Sequence, residues 1–119
     1  MAENITVDPK DAEDNKVMAI LAYLGILVLV PIFAAKESPF ARYHANQGLI
    51  LFIIGIAASI ILSILSVVLI SIGIWWLYSL IALVISVGLL ILAILGIINA
   101  VKGEAKPLPF IGNLFTILK

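Results

Sequence analysis

The sequence predicts an all-α integral membrane protein, a helical bundle with three transmembrane helices and a short interfacial C-terminal segment. Three observations predict this fold class: an apolar composition, long segments without charge, and aromatic residues where those segments end. Of the 119 residues, 64% are hydrophobic and 12% are charged, and the mean hydropathy is +1.27. A soluble domain is roughly 45–50% apolar and about 25% charged, so we expect lipid to surround most of this chain.

The composition also excludes several classes of function. The net charge is zero, which gives no electrostatic basis for binding nucleic acid. Cysteine is absent, which excludes disulfides, thiolate metal sites and cysteine nucleophiles. We expect residues 1–16 to be an acidic flexible tail and residues 17–119 to be a single membrane domain. An acidic leader is unlike the basic start of a cleaved signal peptide, so the first apolar segment should be retained.

The first predicted span covers residues 17–35, an uncharged segment long enough to cross a hydrocarbon core of roughly 30 Å. Pro31 lies in its last third and can kink the helix or end it early. The polar stretch that follows contains Ser38, a favoured N-cap, and Pro39, favoured at the first helical position. The second helix should therefore begin near residue 39 and continue into the membrane.

The second and third spans come from one uncharged segment, residues 48–101. A single helix of this length would rise roughly 80 Å, far more than a bilayer, so the chain must fold back. Gly73 permits a turn, and neighbouring aromatic residues suit the headgroup layer. We therefore predict spans near residues 48–70 and 78–101. The predicted interface anchors are Trp75, Trp76 and Tyr78.

The tail, residues 104–119, is apolar but too short and too interrupted by proline and glycine to cross a membrane. We predict that it lies in the interface, with a re-entrant path as the alternative. The side chains expected to enter the lipid are Phe110, Ile111, Leu114, Phe115 and Leu118.

Lysine and arginine are distributed unequally between the two faces that three spans would create. The face with the N-terminus and the aromatic turn would hold Lys10 and Lys16, and the opposite face would hold five such residues. The five are Lys36, Arg42, Lys102, Lys106 and Lys119. The bias predicts a multi-pass protein of a prokaryotic inner membrane, with the N-terminus outside and the C-terminus in the cytoplasm.

Small residues recur along the predicted spans. Apolar area does not drive helix association in lipid, whereas small residues let two backbones approach closely. The candidate packing residues are Gly55, Ser59, Ser63, Gly96 and Ala100. Both packing within one chain and self-association fit this pattern. The span centres carry no acid or base, which argues against active transport but leaves a pore of several copies open.

The polar stretch provides the candidate contact or structural site. One helical face carries Phe40, Tyr43, His44 and Gln47, because they are spaced at i, i+3, i+4 and i+7. The full set is Phe40, Arg42, Tyr43, His44 and Gln47. No carboxylate pair, second histidine or set of metal ligands accompanies His44, so we predict no enzyme, no cofactor and no metal. His44 is then a hydrogen-bonded structural residue, a partner contact or a pH sensor.

Several short motifs resemble those of a known family. They are Ala22-Tyr23-Leu24-Gly25, Pro31, Phe40, His44-Ala45-Asn46-Gln47-Gly48, Lys102-Gly103, Pro107 and Pro109. This pattern resembles small prokaryotic membrane proteins of unknown function that are similar to the import component of the chloroplast inner-envelope translocon, the Tic-twenty-like family. The resemblance implies an integral membrane protein without established catalysis, whose chloroplast relatives have four spans and are thought to form part of a protein-conducting channel.

We therefore expect a non-enzymatic scaffold or partner subunit of a protein import, insertion or channel assembly. The alternative is a self-assembling pore or a small transporter for ions or small solutes. The expected partners are the lipid bilayer and other membrane proteins or further copies of this chain, with no nucleic acid and no metal.

Overall fold

The computed structural model describes residues 6–114, and this part of the chain is helical without a strand. Five α-helices and one 3₁₀ helix follow one another within residues 6–114. They are α1 (Pro9–Asp14), α2 (Lys16–Leu21), the 3₁₀ helix (Gly25–Val28), α3 (Leu29–Ala34), α4 (Pro39–Ser71) and α5 (Trp75–Val101). The all-α prediction is confirmed.

Helices α4 and α5 form the long hairpin of the molecule. Helix α4 begins at Pro39 because the Ser38 hydroxyl accepts a hydrogen bond from the backbone N–H of Ala41, at 3.0 Å. It ends at Ser71, and Gly73 turns the chain with a φ of 84°, a left-handed value that glycine adopts readily. By length and composition, α4 and α5 are both able to cross a membrane.

The first predicted span, over residues 17–35, is not confirmed, so three transmembrane helices are not confirmed either. The chain there is divided into α2, the 3₁₀ helix and α3, because Leu24 leaves the helical conformation and Gly25 adopts a φ of 65°. Helices α2 and α3 pack against each other, and Asn15 lines the same shallow cavity as residues 33–38. Both ends of the segment therefore lie at one end of the molecule, and we call residues 16–34 the N-terminal hairpin.

Part of the leader that we expected to be a flexible tail is helical. Ala12 of α1 is buried in a cluster with Ala19, Phe40 and Ala100. The Asp11 carboxylate accepts hydrogen bonds from the Ser38 hydroxyl, at 2.6 Å, and from the Phe40 backbone N–H, at 3.1 Å. The first turn of a helix has unpaired N–H groups and a partial positive charge, so a carboxylate is stabilising there.

Replacing Asp11 should therefore destabilise the protein. Asp11→Ala removes a charged acceptor from two donors at the start of α4, and we expect it to lower the free energy of unfolding by about 1–3 kcal/mol. The measurement is thermal unfolding in detergent, followed by circular dichroism. Glu13→Ala is the matched control, because Glu13 is an exposed acid on the same helix. Equal unfolding temperatures for the two variants would contradict this role of Asp11.

The core is concentrated at the end of the α4–α5 hairpin that carries the chain's charged segments, and we call it the packed end. Its main cluster comprises Ala22, Tyr23, Val28, Leu51 and Leu108. Two glycines allow the helices to approach: a Cβ on Gly48 would overlap the carbonyl of Ala22, and a Cβ on Gly96 would overlap the Tyr23 ring. Beyond this cluster α4 and α5 expose most of their large apolar side chains, as lipid-facing helices do.

Candidate functional site

The predicted contact residues lie in the first three turns of α4, within the packed end. Phe40, His44 and Gln47 are fully buried, whereas Arg42 and Tyr43 are half-buried. The imidazole of His44 has aromatic rings on three sides, all in edge-to-face geometry. The centroid distances are 4.7 Å to Phe40, 5.5 Å to Tyr23 and 5.8 Å to Tyr43.

His44 links three parts of the chain through its two ring nitrogens. Nε2 lies 2.7 Å from the backbone carbonyl oxygen of Glu104, and Nδ1 lies 2.6 Å from the Tyr23 hydroxyl. A carbonyl only accepts, so Nε2 carries the proton and donates to Glu104, and Nδ1 accepts from Tyr23. The neutral imidazole thus satisfies both nitrogens, and it ties α4 to the N-terminal hairpin and to the tail.

Gln47 binds the backbone of the tail at two points. Its Oε1 accepts a hydrogen bond from the N–H of Leu108, at 2.8 Å, and its Nε2 donates to the carbonyl of Gly112, at 3.0 Å. The tail closes its own turn, because the Gly112 N–H donates to the Leu108 carbonyl. Leu108 and Gly112 are buried, and buried backbone groups outside a helix need such internal partners.

The tail is attached to the packed end by buried side chains as well as by hydrogen bonds. Ala105 and Leu108 are buried, whereas Phe110 is 99% exposed with a φ of 68°. Of the other side chains predicted to enter lipid, Leu114 is exposed and Ile111 is partly buried against the main cluster. Phe115 and Leu118 lie outside the described residues.

The side chain of Glu104 plays a separate and minor part. Its carboxylate forms an ion pair with Lys106. The hydrogen bond that Lys106 donates within this pair lowers the pKa of Glu104 below its ordinary value. An exposed pair of this kind adds little stability. The contribution of residue 104 to the packed end comes from its backbone carbonyl.

The candidate packing residues divide into two groups. Gly96 lies under the Tyr23 ring and Ala100 is fully buried, so both belong to the packed end. A Cβ on Gly55 would meet no atom within 4 Å, and Ser59 and Ser63 are exposed. Their hydroxyls donate to the carbonyls of Gly55 and Ser59 along α4. Of the predicted anchors at the far turn, Trp75 and Trp76 are exposed and Tyr78 is half-buried.

Four residues of the packed end were missed by sequence reasoning as contacts: Asp11, Tyr23, Gly48 and Leu108. Tyr23 carried a signal, since it is the hydroxyl-bearing aromatic residue in an otherwise apolar segment and a buried hydroxyl needs a partner. Gly48 carried a weaker one, a glycine one turn after His44 on a helix. Between residues 6 and 114, no group of three or more histidine or acidic side chains could hold a metal ion.

The fold and the site together define a small helical membrane protein, with one hairpin of two membrane-capable helices and a packed end of shorter segments. Residues 14–115 match the profile of the magnetosome magnetite crystal formation protein family, MamF/MmsF, and the chain belongs to this family.

Three curated proteins illustrate the relationship. The magnetosome protein MamF of Magnetospirillum gryphiswaldense is 31% identical over 121 aligned positions, which cover 99% of this chain and 100% of that protein. MmsF of Paramagnetospirillum magneticum is 32% identical over 80% of this chain and 79% of its own length. MamF of the same organism is 29% identical over 99% of this chain and 100% of its own. No solved structure matches the chain.

The resemblance to the Tic-twenty-like family is therefore wrong, and the import role that it implied has no support. The family match over residues 14–115 overturns it. The motif that carried it, with Phe40, His44 and Gln47, serves helix packing and tail attachment here. Such contacts report how a small membrane protein packs and not what it transports.

Proposed function

We propose that this chain is a non-enzymatic component of the magnetosome membrane and takes part in magnetite crystal formation. The observation that carries the proposal is the match to a family of that description, together with full-length similarity to a protein named as a magnetosome protein. The two membrane-capable helices support a place within the bilayer.

The chemistry of the packed end favours a structural role over a catalytic one. Both nitrogens of His44 and both amide atoms of Gln47 bind groups of the chain itself. A catalytic group has to reach a substrate, whereas these side chains hold the protein's own segments together. The exposed apolar surfaces of α4 and α5 remain for lipid and for other membrane proteins, which are the partners that we propose.

Complementation tests this function. In a magnetotactic bacterium from which the genes for its own MamF and MmsF proteins have been deleted, expression of this chain should raise the mean crystal diameter measured by electron microscopy. A fluorescent fusion reports whether the chain reaches the magnetosomes. Unchanged crystals despite normal abundance in the magnetosome membrane would overturn the proposal.

The pore or transporter alternative predicts a different result with purified protein. For a structural component, we expect ion flux from liposomes that contain the protein to equal the flux from empty liposomes. Flux that rises with the protein-to-lipid ratio would favour the alternative instead.

A further inference from the structure

We infer that the chain crosses the membrane twice, with the packed end in the cytoplasm, so that, of residues 6–114, only the uncharged aromatic turn between α4 and α5 meets the opposite compartment. That this compartment is the magnetosome interior rests on the proposed function; the two-span topology does not. The turn then contacts the lipid headgroups of the leaflet that faces this compartment.

The first step is that the charged segments meet at one end. Asp11 of α1 binds Ser38 and Phe40 at the start of α4. Ala12 packs in the cluster that contains Ala100, near the end of α5. His44 binds the Glu104 carbonyl at the start of the tail. The leader, the connection before α4 and the tail therefore share one face.

The second step is the distribution of charge along the described chain. Between residues 6 and 114, the six basic residues are Lys10, Lys16, Lys36, Arg42, Lys102 and Lys106. The six acidic residues are Asp8, Asp11, Glu13, Asp14, Glu37 and Glu104. All twelve belong to the segments at the packed end or to the first turn of α4, and residues 48–101 carry no charge.

The third step is the length of the uncharged hairpin. The part of α4 from Gly48 to Ser71 rises about 36 Å at 1.5 Å per residue, enough to cross a hydrocarbon core of roughly 30 Å. The far end of the hairpin carries Trp75 and Trp76, the first residues of α5, which are 63% and 57% exposed. Exposed indole rings at the end of an apolar helix suit the headgroup layer.

The orientation follows from the count of lysine and arginine. Three spans would divide all seven such residues of the sequence into two and five, whereas two spans place the six described ones on one face and none on the other. Because lysine and arginine are retained on the cytoplasmic side, the two-span arrangement predicts a cytoplasmic packed end.

This orientation has a chemical consequence for crystal formation. Residues 71–76 are Ser-Ile-Gly-Ile-Trp-Trp and include no carboxylate or imidazole. Hard metal cations prefer carboxylate and other oxygen ligands, and imidazole binds iron as well. The described acids and His44 lie on the other side. The chain then acts on the crystal through the membrane and its partners, and not by binding iron or mineral with side chains at this turn.

Single cysteines test the inference, because the chain has none of its own. The variants are Glu13→Cys, Glu37→Cys, Lys106→Cys and Ser71→Cys, all at exposed positions. A membrane-impermeant thiol reagent is applied to intact isolated magnetosomes and to inside-out vesicles of inner membrane, which both present the cytoplasmic face. The first three variants should be labelled without detergent, and Ser71→Cys only after detergent is added.

Two results would overturn the inference. If Glu13→Cys is protected while Glu37→Cys is labelled, the chain crosses the membrane between them and has a third span. If Ser71→Cys is labelled while the other three are protected, the orientation is the reverse. The unmodified chain is the control for reagent specificity. If the chain is absent from magnetosomes but is labelled as expected in inner-membrane vesicles, the two-span topology holds and the proposed function is contradicted.

Discussion

Gly48→Ala is expected to cause the largest loss of stability of any glycine-to-alanine substitution in this protein. The new Cβ would overlap the carbonyl oxygen of Ala22, a backbone atom that cannot rotate away as a flexible side chain can. The end of α2 and helix α4 would have to separate, which also pulls Tyr23 from His44. Overpacking typically costs 1–3 kcal/mol and occasionally more, so we expect a loss of about 3 kcal/mol or more.

The chain supplies matched controls for this substitution. An added Cβ at Gly55 or Gly88 meets no atom within 4 Å, and both glycines lie inside long helices. Since alanine is favoured over glycine in a helix by about 0.8–1.0 kcal/mol, these variants should unfold at the same temperature as the parent or slightly higher. The measurement is thermal unfolding in detergent by circular dichroism. If Gly48→Ala unfolds at the temperature of Gly55→Ala, the close contact does not exist in solution.

Gln47→Leu should release the tail. Leucine has a similar volume but leaves the Leu108 N–H and the Gly112 carbonyl without the partners that Gln47 provides. A buried group that loses its partner costs about 1–3 kcal/mol, so the two together should cost about 2–6 kcal/mol. We expect a lower unfolding temperature and faster cleavage by chymotrypsin after Phe110, an exposed residue between the two attachment points, because the tail backbone must be free to enter a protease.

Ser59→Ala is the control, since it removes a hydroxyl that donates to the Gly55 carbonyl of the same helix at an exposed position. It should change neither measurement. Cleavage of the Gln47→Leu variant at the parent's rate would mean that other contacts, such as the burial of Leu108, are sufficient to hold the tail.

Local signals predicted the long hairpin well. The Ser38-Pro39 pair marks the start of α4, and a glycine between two apolar runs marks the turn, because capping and left-handed φ values depend on neighbouring residues only. The N-terminal hairpin could not be predicted in the same way. Hydropathy measures whether a segment is long enough to cross, whereas its folding back depends on contacts of Ala22 and Tyr23 with glycines far along the chain.

The site shows the same division. Periodicity places Phe40, His44 and Gln47 on one face of a helix, and the structure buries all three. Their partners are mostly backbone groups of residues 104, 108 and 112, which have no signature in the sequence because every residue carries them. The short motif likewise indicated the wrong family, since it records packing, whereas the match over residues 14–115 depends on the whole membrane domain.

The attachment of the tail to α4 has a consequence for biosynthesis. His44 and Gln47 bind groups that follow them by 60 and 65 residues, so both side chains leave the ribosome long before their partners. Until then the Gln47 amide, in an apolar helix, lacks its hydrogen-bond partners in the tail. Tyr23 of the N-terminal hairpin likewise lacks its contact with Gly96. A chain that stops before residue 104 therefore lacks the groups that His44 and Gln47 bind, and it cannot close the packed end.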